Sequence, residues 1–214
     1  MINFYLPKEI ADQFDKLTHY IFTNSSKKIR TLSIVSSTQG EGNSTVAINF
    51  ALNLAVNHKA RILLVDMNLR KPILHQVFRV GKEKGLTDLL LKKIDFHMVL
   101  KKTAVPNLFL ITSGENILNP DQLFESMKIE EVLKRQAKQF DYIILDCPPV
   151  NSYPEATLLA SQSDGVILVV QAGKTRHQVV HSAQTKLINA KVNILGVVLN
   201  RRKYYIPRWI YNKL

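Results

Sequence analysis

The chain holds a single cysteine, Cys147, so no intrachain disulfide can form and a reducing compartment is the expected setting. Its first residues, MINFYLPKEIADQ, lack the basic-then-apolar pattern of a signal peptide. No apolar run approaches the ~18 residues that a membrane-spanning helix needs. The expected location is therefore cytoplasmic, with any membrane contact peripheral, at the inner face of the cell membrane. Internal repeats and low-complexity segments are missing as well. Acidic residues are scarce: 17 Asp and Glu stand against 29 Lys and Arg, a formal net charge of +12. That imbalance points to an acidic partner, whether a phosphorylated ligand, an anionic lipid surface, a nucleic acid or an acidic protein. The length of 214 residues allows one sizeable core and is short for two full domains. With 46% hydrophobic and 21% charged residues, the composition is that of an ordinary globular chain.

Short apolar runs rich in Ile, Val and Leu recur at 29–35, 61–65, 108–111, 142–145, 166–170 and 194–199. They do not alternate with polar residues, which suits strands buried on both faces of a parallel sheet. Between them, residues 45–57, 86–91 with 98–101, 121–139, 154–161 and 177–190 carry helical spacing. The alternation predicts an α/β fold of three layers around a mainly parallel, doubly wound sheet. In such sheets ligands sit at the carboxyl ends of the strands, so the residues that follow each strand carry the functional information.

After the first run comes SSTQGEGNST, residues 36–45, and then a helix. Gly40 and Gly42 allow a tight turn whose backbone N–H groups converge on an anion, and the helix that follows adds its positive end. The stretch resembles the phosphate-binding pattern G-x-x-x-x-G-K-[ST], except that Asn43 occupies the lysine position. Ser44 is placed to ligate Mg²⁺ through its hydroxyl. A plain strand-to-helix turn with Ser or Thr as cap is the alternative.

The second run ends in ILLVDMNLRKP, which puts Asp66 at the sheet edge with Arg70 four residues on. The run at 142–145 ends in YIILDCPPV, with Asp146 at the edge and two prolines that stop the strand. A carboxylate directly after a buried strand is costly unless something pairs with it. Helix capping is the bland explanation for each aspartate. Two aspartates and a glycine loop, all at strand ends, form one constellation and point to a magnesium–nucleotide site.

These elements resemble the bacterial tyrosine kinases of capsule and exopolysaccharide synthesis, CpsD/CapB-like, within the deviant-Walker P-loop ATPases that include MinD and ParA. The loop at 36–45 is similar to Walker A, LLVDMNLRKP to Walker A′ (D-x-D-x-R-x-P) and IILDCPPV to Walker B. GLTDLLL (85–91), TSGENILNPDQLF (112–124) and GVVLN (196–200) are also similar to the family. The resemblance covers residues from about 10 to 205. It implies ATP or ADP with Mg²⁺ as cofactors. Gly40, Glu41, Gly42, Asn43, Ser44 and Thr45 would line the phosphates, and Asn200 would hydrogen-bond adenine. Ser44, Asp66 and Asp146 would serve the metal, and Asp66, Asp146 and Arg70 the chemistry. A membrane-embedded, Wzz-like chain-length regulator is the implied partner.

Three departures from the family pattern stand out. Asn43 replaces the lysine that bridges the β- and γ-phosphates. At ~4 Å and an effective dielectric of ~20, the lost attraction is about 4 kcal/mol gross. Net of desolvation it is roughly 2–3 kcal/mol, or about 30- to 150-fold in affinity. Losing a fixed cation at the reacting phosphate also costs about 10²- to 10³-fold in rate. Asn68 replaces the second aspartate of Walker A′, and an amide cannot act as a general base. The ring-assembly motif E-x-x-R-x-x-R aligns with DQFDKLT (12–18), where Asp15 and Thr18 replace both arginines. Ser37, Thr38 and Gln39 leave no early lysine of the MinD type. Lys71 and Lys174 follow strand ends and are the candidate substitutes; Arg70 is placed for a phosphate or a partner carboxylate.

The tail NRRKYYIPRWIYNKL (200–214) mixes basic residues with four aromatics. Tyr204, Tyr205 and Tyr211 are candidate phosphorylation sites. The tail is a candidate contact for an anionic membrane surface or a membrane partner, whereas nucleic-acid binding is not favoured because no nucleic-acid fold motif accompanies it. His177 and His181 have a metal-compatible spacing without a legible third ligand, and Cys147 has no neighbouring base to make it a nucleophile. The organisation expected is an N-terminal helical segment with a degenerate assembly motif (1–28), a P-loop kinase-like domain (29–203) and a basic aromatic tail (204–214). Two activities stay open: an ATP-dependent tyrosine autokinase, and a pseudoenzyme that senses nucleotide or scaffolds. A MinD-like membrane-associated ATPase is a weaker third.

Overall fold

A computed structural model of the chain describes residues 6–24, 28–91, 94–117 and 138–202, with residues 119, 120, 123, 124, 129, 132 and 135 of the intervening stretch. Seven strands form one sheet: β1 (Thr31–Ser36), β2 (Ile62–Asp66), β3 (Lys101–Lys102), β4 (Leu108–Ile111), β5 (Tyr142–Asp146), β6 (Gly165–Gln171) and β7 (Ile194–Asn200). Their order is β3-β4-β2-β5-β1-β6-β7, and every pairing is parallel except β3 with β4. Among the described residues, the helices with both ends placed are α1 (Lys8–Asn24), α2 (Asn43–Val56), α3 (Leu74–Phe78), α4 (Leu86–Leu90), α5 (Phe96–Val99), α6 (Glu155–Ser161) and α7 (His177–Asn189).

The central strands are buried except at an end residue such as Thr31 or Tyr142, and consecutive residues feed opposite faces. Leu63, Val65, Ile143 and Leu145 enter one apolar cluster, while Ile62, Leu64 and Ile144 enter the other. Two-sided burial is why these strands read as unbroken apolar runs. On the second face α1 packs beside α2, with Phe22 between Phe50 and Tyr142 at centroid distances of 6.5 and 4.2 Å. Helix α2 is hydrophobic nearly all round, because it lies between the sheet and α1.

Two sequence expectations change. Residues 98–101 do not form one helical stretch: α5 ends at Val99, and Lys101 begins the antiparallel edge strand β3, paired with Leu110. Two residues of pairing leave too little apolar pattern to announce a strand. Helix α3 also goes unread in the sequence, because its five residues hold only one turn of periodicity. Most of the stretch 121–139 lies outside the described residues, though residues 120, 123, 124, 129, 132 and 135 are helical. Among the described residues no helix is long and apolar enough to cross a membrane.

Candidate nucleotide site

Strands β1, β2 and β5 are neighbours, and their carboxyl ends bring three separate loops together. The loop from β1 to α2 turns on Gly40 and Gly42, whose φ values of 88° and 93° lie in the left-handed region that glycine tolerates. Gly42 is also the residue before α2, and its carbonyl accepts the Val46 N–H at 3.0 Å. A side chain at Gly42 would run into the Asn200 amide, so this glycine is fixed by space as well as by conformation. Ser44 is half-buried and Thr45 exposed in the first turn of α2.

Glu41 lies between these glycines but does not face a ligand through its side chain. The residue is 2% exposed. It accepts the Ser37 hydroxyl at 2.7 and 2.8 Å and the Thr38 N–H at 2.8 Å. The Thr175 hydroxyl, in the loop after β6, donates to it as well. Glu41 thus braces the turn from inside.

Asn43 is folded down onto β5. Its amide donates to Asp146 Oδ1 at 3.0 Å and to the Cys147 carbonyl at 2.7 Å, while its oxygen accepts the Ser36 hydroxyl at 3.3 Å. Both donors and the acceptor are used within the protein. Where the phosphate-loop pattern has a cation, this chain has a neutral strut between loop and sheet.

Asp66 and Asp146 are direct register partners across β2 and β5, and both are fully buried. Asp66 accepts the N–H groups of Ile73 and Leu74 at 3.1 Å each, at the start of α3, and that of Asn68 at 3.3 Å. Burial raises its pKa to about 7, against the pull of those three N–H groups. Asp146 is pushed well above the usual carboxylate range by burial and then by the neighbouring Asp66, while the Ser44 hydroxyl and Asn43 amide pull the other way. Asp146 Oδ2 is buried without a hydrogen-bond partner. An orphaned carboxylate oxygen beside a second carboxylate and a serine hydroxyl is a hard-oxygen donor set, which fits Mg²⁺.

Arg70 reaches a partner that the sequence does not announce. Its Nε donates to Glu155 Oε1 at 2.6 Å, and its guanidinium lies 4.9 Å from the Tyr153 ring centroid. Glu155 is 3% exposed in the first turn of α6. The arginine therefore ties the loop after β2 to the loop after β5. Asn68 caps its own turn, accepting the Lys71 N–H at 3.2 Å. Lys71 and Lys174 are exposed residues. Asn200 ends β7 and donates to the Glu41 carbonyl at 2.8 Å, so its amide is held against the phosphate loop. Tyr204, Tyr205 and Tyr211 lie outside the described residues. His177 and His181 stand 6.3 Å apart by ring centroids, and among the described residues no three His, Cys, Asp or Glu side chains gather to hold a metal.

The AAA domain family model matches residues 29–194, which spans all of these loops. The chain is 32% identical over 199 residues to the tyrosine-protein kinase YwqD of Bacillus subtilis, covering 92% of this chain and 84% of that one. It is 33% identical over 196 residues to the tyrosine-protein kinase CpsD of Streptococcus agalactiae, covering 91% and 84%. It belongs to the CpsD/CapB-like bacterial tyrosine kinases. The crystal structure of the chimerical protein CapA2B2 superposes with a TM-score of 0.85 at 27% identity, covering 90% of this chain and 85% of that one.

Within this bacterial tyrosine kinase fold, the loop residues 40–45, Asp66, Asp146 and Asn200 converge at one end of the sheet. Arg70 is near but already paired with Glu155. Sequence reasoning missed Glu155 and the inward turn of Glu41. Glu155 follows a proline at a helix start and carries no signal of its own, because its partner lies 85 residues away.

Proposed function

We propose that this chain is a tyrosine-kinase-like, ATP-binding protein of capsular or exopolysaccharide synthesis and export, with weak or lost catalysis. The observation that carries the reading is the Asn43 amide, bonded to Asp146 and the Cys147 carbonyl where the family pattern holds a cation. Backbone N–H groups of the loop 40–45 receive the phosphates, and the positive end of α2 adds to their pull. Ser44, Asp146 and Asp66 would hold Mg²⁺, directly or through water, and the metal would supply charge neutralisation at the nucleotide phosphates. Asn68 supplies no base, and Arg70 is engaged by Glu155. The implied partner is a membrane-embedded, Wzz-like chain-length regulator, with the tail 204–214 as a candidate contact for an anionic membrane surface. Asp15 bonds Asn53 and His58 within the chain, at 2.9 and 3.0 Å, and so offers no arginine-type contact for ring assembly.

The second reading is an active autokinase that regulates polysaccharide chain length, with Tyr204, Tyr205 and Tyr211 as acceptors. The 32% identity to YwqD favours it. Calorimetric titration with Mg-ADP and Mg-ATP, followed by phosphotyrosine mass spectrometry after incubation with Mg-ATP, separates the two. Binding in the micromolar-to-millimolar range without tyrosine phosphorylation supports the first reading. Robust phosphorylation of the unmodified chain overturns it.

A further inference from the structure

At the end of the sheet opposite the phosphate loop, three neighbouring strands begin side by side: β2, β5 and β1. The residues just before them, Arg61, Asp141 and Arg30, therefore converge, and with Lys28 and Lys138 they line a cavity of about 460 Å³. Four of these five side chains are cationic. The lone carboxylate among them, Asp141, is turned to the backbone and accepts the Arg61 N–H at 2.7 Å. Asp164, just before β6, likewise accepts backbone N–H groups, those of Arg30 and Thr31 at 2.8 Å each. These two carboxylates thus face the strand starts, and four cations line the cavity.

The walls of the cavity are aromatic as well as basic. Phe22, Phe140 and Tyr142 line it, with Phe22 and Tyr142 in contact at a centroid distance of 4.2 Å. The Arg61 guanidinium is set 5.0 Å from the Phe109 centroid and 5.3 Å from that of Phe140, two edge-to-face rings whose cation–π contacts fix its direction. Lys28 and Lys138 are exposed. A ligand matched to this site carries a dianion for the cations and a flat ring for the aromatic walls. Clustered Arg and Lys recognise phosphorylated side chains through charge-assisted bonds, and the volume falls within the range of small-ligand sites.

We infer that this cavity is a phosphotyrosine-binding site, taking the phosphorylated tyrosine of another polypeptide at the sheet end remote from the nucleotide. The inference rests on the proposed reading only in taking a tyrosine-kinase setting as the source of phosphotyrosine. It gives the chain a way to read tyrosine phosphorylation whether or not it catalyses it.

The test is fluorescence anisotropy on the full chain with a labelled phosphotyrosine peptide. The same peptide unphosphorylated, its phosphoserine version and phosphatidylglycerol-containing vesicles serve as comparisons. The expected result is phosphotyrosine binding at least 10-fold tighter than either other peptide, displaced by phenyl phosphate at concentrations where inorganic phosphate has no effect. The double variant Lys28→Glu/Lys138→Glu, with both changes at exposed positions, should weaken it at least 10-fold and leave Mg-ADP affinity unchanged. Equal affinity for phosphoserine and phosphotyrosine, displacement by vesicles or inorganic phosphate as effective as by phenyl phosphate, or indifference to the charge reversal would each overturn the inference. Nucleotide titration on the same samples reads the proposed function separately, so either can fail alone.

Discussion

The side-chain amide of Asn43 donates to Asp146 at 3.0 Å, joining the start of α2 to the end of β5 across 103 residues of sequence. It fills, with a neutral group, the position from which a lysine would attract phosphate. Restoring the cation should therefore raise nucleotide affinity. Asn43→Lys is expected to bind Mg-ADP about 30- to 150-fold tighter than the unmodified chain, from roughly 2–3 kcal/mol of net attraction. Calorimetry measures it; an unchanged dissociation constant would remove the electrostatic account.

Catalysis should need two repairs. Asn68 caps its turn through an oxygen that accepts the Lys71 N–H at 3.2 Å, and an aspartate can keep that bond. The double change Asn43→Lys/Asn68→Asp is thus expected to fold normally and to phosphorylate tyrosine faster than either single variant. Mass spectrometry at Tyr204, Tyr205 and Tyr211 follows the product. A double variant no faster than Asn43→Lys would show that the carboxylate at 68 is dispensable.

The buried carboxyl pair should make stability depend on pH and on magnesium together. Asp66 has its pKa raised to about 7 from an ordinary 3.8, so the native state favours its protonated form. That contribution is full below pH ~4 and is lost as pH rises through ~7. Asp146 is displaced in the same direction. His75 works the other way, since burial lowers its pKa, and a variant comparison cancels it. In EDTA, the melting temperature of the unmodified chain should fall relative to Asp66→Asn between pH 5.5 and 8. Mg²⁺ should recover stability increasingly as pH rises through ~7, where Asp66 ionises and can bind it. Parallel pH curves for the two proteins in EDTA would contradict this.

Removing one member of the Arg70–Glu155 pair should not equal removing the other. Glu155 is 1% exposed at its side chain and Arg70 31%. Arg70→Ala strands a buried carboxylate and is expected to cost about 3 kcal/mol or more, whereas Glu155→Gln frees an arginine that can reach water and should cost less. Urea denaturation of both variants gives the comparison. Equal losses would mean that Glu155 is solvated once its partner is gone.

Strand β2 was legible because burial on both faces leaves no polar residue to interrupt its core: Ile62, Leu63, Leu64 and Val65 are all fully buried. Gly40 and Gly42 were legible because the turn demands positive φ, and Asp66 and Asp146 because a carboxylate after such a strand must serve something. The sequence by itself thus determined the sheet, the loop and the two aspartates. Only the tertiary structure decided what each polar side chain does there. The order β2-β5-β1 sets Asp66 beside Asp146 and brings Asn43 onto Cys147. Glu41 could be read as a phosphate-loop residue until the end of β6 supplied Thr175, 134 residues away, to hold its carboxylate inward. Arg70 could be read as a catalytic cation until α6 delivered Glu155. Apolar burial is written in local periodicity, whereas a hydrogen bond depends on which two chain segments the crossovers make neighbours, and spacing along one strand does not carry that information.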